Sequence, residues 1–102
     1  MRLERRGNIG VLYIDTDNNN AINFDFITES HRWMDEIEQD PGLDALVVTA
    51  SHKTLFSPGV DLVTVMGYSR EELRRFYEEI TALIRRKFLF SKPEVYALNG
   101  HT

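Results

Sequence analysis

Three short apolar runs alternate with two long amphipathic segments along the chain. The runs are residues 10–15, 44–50 and 94–98. Each carries Val, Leu, Ile, Tyr or Ala at most positions and predicts a β-strand. Residues 2–6 can pair with the first run across a turn at Gly7, which gives an antiparallel hairpin. Because long helical segments join the later runs, we expect those strands to lie parallel in one sheet.

Helix-start signals precede both amphipathic segments. Asn23 can cap a helix that ends near Gln39, and its apolar residues recur near helical spacing, so one face is expected to pack on the sheet. Ser69 and Glu72 form a capping box, which predicts the start of a second helix. Its expected apolar face comprises Leu73, Phe76, Tyr77, Ile80, Leu83, Ile84 and Lys87. The basic run at residues 85–87 suits the negative end of that helix.

The loop after the second apolar run carries the candidate chemistry. Residues 44–50 are too apolar to leave one face in water, so we expect burial on both faces. Ligands favour loops at the carboxyl ends of such strands. Pro58 fixes its own φ, Gly59 can adopt a backbone closed to other residues, and Val60 is expected to begin a helical turn. An unpaired N–H there suits an oxygen anion, although an ordinary strand-to-helix connection has the same spacing.

Three motifs in this order resemble the crotonase, or enoyl-CoA hydratase/isomerase, superfamily. Residues 56–62, Phe-Ser-Pro-Gly-Val-Asp-Leu, resemble its Phe-Ser/Ala-x-Gly-x-Asp-Leu segment. Residues 20–23, Asn-Ala-Ile-Asn, resemble its Asn-Ala-Leu-Asn/Ser, and residues 92–100 resemble its segment from Lys-Pro to Asn-Gly. One short motif recurs by chance, whereas three in order are fairly specific. The link at residues 66–69 is most similar to the Δ3,Δ2-enoyl-CoA isomerase branch.

The resemblance implies a crotonase-like α/β fold of ββα repeats, with a mainly parallel sheet flanked by helices. Residues 1–102 would form the N-terminal part of that domain, so the fold is expected to be incomplete in this chain. The family acts on acyl-CoA thioesters, so coenzyme A would enter as part of the substrate and no separate cofactor is expected. Whether the reaction is hydration, isomerisation or another crotonase reaction stays open. Family members assemble as trimers or hexamers, which implies a homo-oligomer, a trimer or hexamer, for the full-length form.

The resemblance also assigns the site residues. In this family two backbone N–H groups form an oxyanion hole around the thioester carbonyl, and the first of them would be that of Val60. The substrate would lie against Ser57, Pro58, Gly59, Val60, Asp61 and Leu62. The second donor and the catalytic glutamates are expected beyond Thr102, so the chain alone is expected to be inactive. The acidic, amide-rich loop at residues 15–20 supplies no positive charge for CoA phosphates.

A second function class fits the length of the chain. A non-catalytic interaction module resembling the STAS domains would have about the same size, with Ser57 as a phosphorylation site. The Ser-Pro-Gly sequence at residues 57–59 does not match the Asp-Ser-Ser-Gly pattern of those modules. The acyl-CoA interpretation is therefore preferred.

Composition restricts the kinds of partner that the chain is expected to bind. The net charge is −4, from 12 Lys and Arg against 16 Asp and Glu, so no nucleic-acid partner is expected. The chain has no cysteine, which excludes disulfides and thiolate zinc sites, and we expect no metal. No apolar stretch approaches the roughly 20 residues of a membrane helix, so no membrane association is expected. A cytoplasmic protein is the default expectation.

Overall fold

A computed structural model describes residues 1–102 and contains one four-stranded sheet and three helices. The elements are β1 (Arg2–Arg6), β2 (Ile9–Tyr13), α1 (Phe24–Gln39), β3 (Ala45–Thr49), α2 (Leu62–Met66), α3 (Arg70–Phe88) and β4 (Glu94–Tyr96). The strand order is β1-β2-β3-β4, with β1 antiparallel to β2 and the remaining pairs parallel. The predicted hairpin and the mainly parallel sheet are confirmed. No helix is both long and apolar enough to cross a membrane.

The hairpin depends on the turn between β1 and β2. Gly7 has φ +61°, the left-handed region that a glycine adopts without strain. Arg6 then pairs with Ile9, and Arg2 pairs with Tyr13 at the far end. The parallel register continues from β2 into β3, where Val11 lies beside Val47.

Burial of β3 differs from the prediction. Leu46 and Val48 are almost completely buried, whereas Val47 between them is only half-buried. Its partner in β4, Val95, is exposed. One face of the sheet packs under α1, and no element of the described chain covers the other face at this point. The expectation that both faces are buried is therefore wrong for β3.

Helix α1 closes the core over the buried face of the sheet. The Asn23 side chain accepts a hydrogen bond from the Phe26 N–H at 2.9 Å, which confirms the predicted N-cap. Phe26 and Ile37 pack in one cluster with Leu12, Leu46 and Val48 of the sheet. At the other end Asp40, in extended conformation, ends the helix. The apolar spacing of the sequence thus places the first helix correctly.

Helix α3 buries a narrower face than its sequence predicts. The capping box is present, because the Glu72 N–H donates to Ser69 Oγ at 3.2 Å and the Ser69 N–H donates to Glu72 Oε1 at 3.3 Å. Only Phe76 and Leu83 are buried, in a cluster with residues of α1. Tyr77 and Ile84 are each 62% exposed, so the prediction of one continuous buried face is wrong at these positions. The helix contacts α1 and is separated from the sheet by a cavity.

Ion pairs join α3 to its neighbours near the C-terminal end of the helix. The Arg86 guanidinium donates to Asp35 at 2.5 Å and to Glu38 at 3.3 Å, both on α1. Lys87 donates to Glu94 of β4 at 3.0 Å. Two of the three basic residues therefore bind carboxylates of other elements in addition to lying at the negative end of their own helix.

Candidate functional site

The candidate loop lies beyond the carboxyl end of β3, beside the loop that precedes α1. Val60 and Ile22 form an isolated parallel bridge. In this bridge the Ile22 N–H donates to the Gly59 carbonyl at 2.8 Å, and the Asp61 N–H donates to the Ile22 carbonyl at 2.9 Å. The two loops are thereby joined backbone to backbone.

Val60 does not begin a helical turn, in contrast to the prediction. Helix α2 begins at Leu62, and Asp61 is its N-cap. The Asp61 carboxylate accepts from the Thr64 N–H at 3.1 Å and from the Thr64 hydroxyl at 2.7 Å, which fixes the cap one residue after Val60. The Val60 N–H is therefore not one of the terminal donors of α2.

The Val60 N–H is nevertheless unpaired. In a parallel bridge of this kind the hydrogen bonds use the residues on either side of Val60, so its own N–H points away from Ile22. This N–H donates to no atom of the chain. Gly59 has φ +88°, and an added Cβ would meet nothing within 4 Å, so glycine is required there for backbone conformation and not for space.

Two buried polar side chains connect the same loops. The Asn20 side-chain amide donates to the Phe56 carbonyl at 2.8 Å, and the Ser57 hydroxyl donates to the Asn20 carbonyl at 2.7 Å. The Ser57 oxygen also accepts from the Gly59 N–H at 3.1 Å. Asn20 is absent from the predicted site. Its sequence signal is an Asn within a polar loop, the residue type that most readily adopts positive φ after glycine.

The third motif meets the other two at the same edge of the sheet. The Phe56 N–H donates to the His101 carbonyl at 2.8 Å, and the Asn99 side chain donates to the Ala50 carbonyl at 2.6 Å. An added Cβ on Gly100 would lie 2.6 Å from the Leu55 backbone nitrogen. Glycine is therefore required there by the close approach of two backbones, and the three motifs form one cluster of loops.

An apolar cavity of about 200 Å³ lies between α3, α1 and the sheet, next to this cluster of loops. Its walls include Phe56, Ser57, Ile80, Leu83, Ile84 and Tyr96, and Lys87 is its one charged wall residue. Of the six predicted substrate-contacting residues, Ser57 alone lines it. Pro58 and Leu62 are exposed, so the structure does not turn all six residues toward one cavity.

The Asp61 carboxylate of the candidate loop is already hydrogen-bonded. Hydrogen bonds from Thr64 and then from Asn18 lower the pKa of the Asp61 carboxyl. The same bonds from Thr64 hold Asp61 as the N-cap of α2. No group of three or more His, Cys, Asp or Glu side chains is arranged to hold a metal ion.

The family model described as Enoyl-CoA hydratase/isomerase matches residues 4–102. The chain belongs to the enoyl-CoA hydratase/isomerase family. The resemblance carried by the three motifs, and with it membership of the crotonase superfamily, is confirmed. Nothing in the comparisons supports the STAS-like alternative.

Sequence relatives within this family include both reaction types. Crotonyl-CoA hydratase of Syntrophomonas wolfei is 29% identical over 99 residues, a match that covers 96% of this chain and 38% of that protein. Enoyl-CoA delta isomerase 1, mitochondrial, of Rattus norvegicus is 23% identical over 100 residues, a match that covers 96% of this chain and 35% of that protein. The comparisons therefore do not separate hydratase from isomerase.

Solved structures confirm the crotonase fold. Human mitochondrial delta3-delta2-enoyl-CoA isomerase superposes with a TM-score of 0.90 at 22% identity, and the match covers 97% of this chain and 39% of that one. The enoyl-CoA hydratase of Bacillus anthracis has a TM-score of 0.88 at 16% identity, and the match covers 97% of this chain and 39% of that one. This enoyl-CoA hydratase/isomerase family chain thus spans about two-fifths of the length of these relatives.

Proposed function

We propose that this chain supplies part of the acyl-CoA site of an enoyl-CoA hydratase or isomerase. In this proposal the Val60 N–H is one of two oxyanion-hole donors, and it binds the carbonyl oxygen of the thioester. The observation that carries the proposal is an unpaired N–H, held by the bridge to Ile22, within a motif of a chain that belongs to this family.

The chemistry explains why an unpaired backbone N–H is useful here. When the thioester is deprotonated next to its carbonyl, or when water adds to the double bond, negative charge develops on the carbonyl oxygen. A donor already aimed at that oxygen stabilises the charge without reorganisation and contributes about 100-fold to 1000-fold in rate. The apolar cavity beside Ser57 would take the acyl chain, and coenzyme A would enter with the substrate.

The rest of the catalytic machinery is proposed to lie elsewhere in the protein. General acid–base catalysis requires a carboxylate or imidazole within reach of the moving proton. Asp61 is engaged as a cap, so it does not meet this requirement. We therefore expect the isolated 102-residue chain to show no hydration of crotonyl-CoA. Turnover by the pure chain would contradict this division of roles.

The test of the proposed function removes the N–H of Val60 and leaves its side chain unchanged. Replacing Val60 by the α-hydroxy acid of the same side chain converts its peptide bond into an ester, so the side chain stays and the donor is lost. In the whole protein that carries this chain, kcat should fall about 100-fold or more. Val60→Ala is the matched control, because it keeps the N–H and should retain most of the activity. An ester variant that folds and keeps full kcat contradicts the proposal.

A further inference from the structure

Asn20 is a buried residue whose hydrogen-bonding groups are nearly all used. It is 3% exposed and has φ +62°. Its side-chain nitrogen donates to the Phe56 carbonyl at 2.8 Å, and its side-chain oxygen accepts from the Thr16 N–H at 2.8 Å. Its own N–H donates to the Thr16 hydroxyl at 3.0 Å. A buried amide with both ends satisfied holds its partners in one arrangement.

Two partners of Asn20, Phe56 and Ser57, lie shortly before Val60 in the chain. The amide fixes the Phe56 carbonyl, and the Ser57 hydroxyl returns a bond to the Asn20 carbonyl at 2.7 Å. Through its oxygen, Ser57 also accepts from the Gly59 N–H at 3.1 Å. The bridge of Ile22 to the residues on either side of Val60 completes the attachment. The backbone on both sides of Val60 is therefore tied to the Asn20 loop.

We propose that Asn20 is a positioning residue that sets the direction of the Val60 N–H. This inference rests on the proposed function of Val60. Its carboxamide supplies a donor for the Phe56 carbonyl and an acceptor for the Thr16 N–H from the same side chain. Asparagine also tolerates the positive φ at this position better than other residues with a side chain. A donor shifted by about 1 Å can cost on the order of 100-fold in rate.

The substitution Asn20→Asp, made in the whole protein, separates the donor function of the Asn20 side chain from its acceptor function. It keeps the shape, the positive φ and the acceptor for Thr16, but it replaces the donor to the Phe56 carbonyl by a carboxylate oxygen, which repels that carbonyl. We expect kcat to fall between about 10-fold and 100-fold while KM changes little. Asn19→Asp is the matched control, because Asn19 also has positive φ, is exposed and makes no side-chain hydrogen bond. Its kcat should stay within about two-fold.

A double-variant cycle with the Val60 ester distinguishes positioning from a general effect on folding. If Asn20 acts through the Val60 N–H, Asn20→Asp should lower kcat much less once that N–H is gone. An equal loss in both backgrounds overturns the inference and leaves the proposed function intact. An ester that alone leaves kcat unchanged overturns the proposed function and this inference with it. If Asn20→Asp does not fold, Ser57→Ala removes the hydrogen bond from the Ser57 hydroxyl to the Asn20 carbonyl. Its effect on kcat should then be non-additive with that of the ester in the same way.

Discussion

The chain has two regions that differ in how completely they are covered. In the first, which comprises β1, β2, α1 and β3, the apolar side chains Leu12, Ile37, Leu46 and Val48 are almost completely buried. In the second, which comprises α2, α3 and β4, Val63, Met66 and Phe88 are each at least 85% exposed. The candidate loop lies between the two regions and is tied to the first by Asn20 and Ile22.

The contrast shows that an amphipathic pattern predicts which side of an element is apolar but not what covers it. Helices α1 and α3 both have clear apolar faces and well-formed N-caps. Helix α1 lies on the sheet, whereas α3 contacts α1 and leaves a cavity above the sheet. The same kind of sequence signal therefore gives a closed core in one region and uncovered apolar surface in the other.

The largest expected effect comes from emptying one of the two buried positions of α3. Phe76 is 1% exposed and clusters with Ile27 and Met34 of α1. Its ring also contacts the rings of Phe24, at the start of α1, and of Tyr68. We expect Phe76→Ala to lower the free energy of unfolding by about 3–5 kcal/mol, because it leaves a cavity in the core. Phe88→Ala is the same change in the same helix at an exposed position and should cost less than about 0.5 kcal/mol. Urea unfolding measures both, and equal losses would contradict the contrast.

The sequence specified the regular elements because their signals are local. The Asn23 cap and the Ser69 capping box each lie within four residues of the groups they satisfy, and the strand runs are continuous. Parallel strands also deliver their carboxyl ends to one edge, so the meeting of the motifs could be predicted.

The features that the sequence did not predict involve groups far apart in the sequence, and they produce no periodic pattern of residue types. The bridge between Val60 and Ile22 consists of backbone atoms, which almost any residue types could provide, proline excepted at the two donor positions. The bond from Asn20 to the Phe56 carbonyl spans 36 positions. The exposure of Tyr77 and Ile84 depends on which neighbours cover α3, and this is not encoded in the helix itself.

The second prediction concerns association of the isolated chain. β4 is an edge strand, and Val95 on it is 60% exposed. An unpaired strand edge beside exposed apolar side chains favours self-association. Sedimentation velocity should show species whose mass increases with protein concentration. The double variant Val95→Lys, Phe88→Lys should shift the distribution toward monomer. Adding the same two charges at the exposed polar residues Thr54 and Thr81 should change little. A monodisperse monomer at all concentrations would contradict this prediction.

The smallest expected effect is a pH dependence of α2. Hydrogen bonds from Thr64 and Asn18 lower the pKa of Asp61 below its ordinary value of 3.8. Because the folded carboxyl has the lower pKa, the stabilising contribution is complete above pH 3.8 and is lost as the pH falls through the folded pKa. NMR should show α2 fraying in acid. Asp61→Asn should abolish that dependence, and an unchanged pH profile in this variant would contradict the assignment.

The most direct test of the Val60 assignment is the vibrational frequency of the bound thioester carbonyl. A saturated acyl-CoA carrying a ¹³C-labelled carbonyl cannot be hydrated and allows isotope-edited infrared spectra of the bound state. In the whole protein, the carbonyl stretch should move to lower frequency on binding, because hydrogen bonds polarise the oxygen. The Val60 ester variant should lose a large part of this shift, and Val60→Ala should retain it. The same frequency in the ester variant and the unmodified protein would contradict the account.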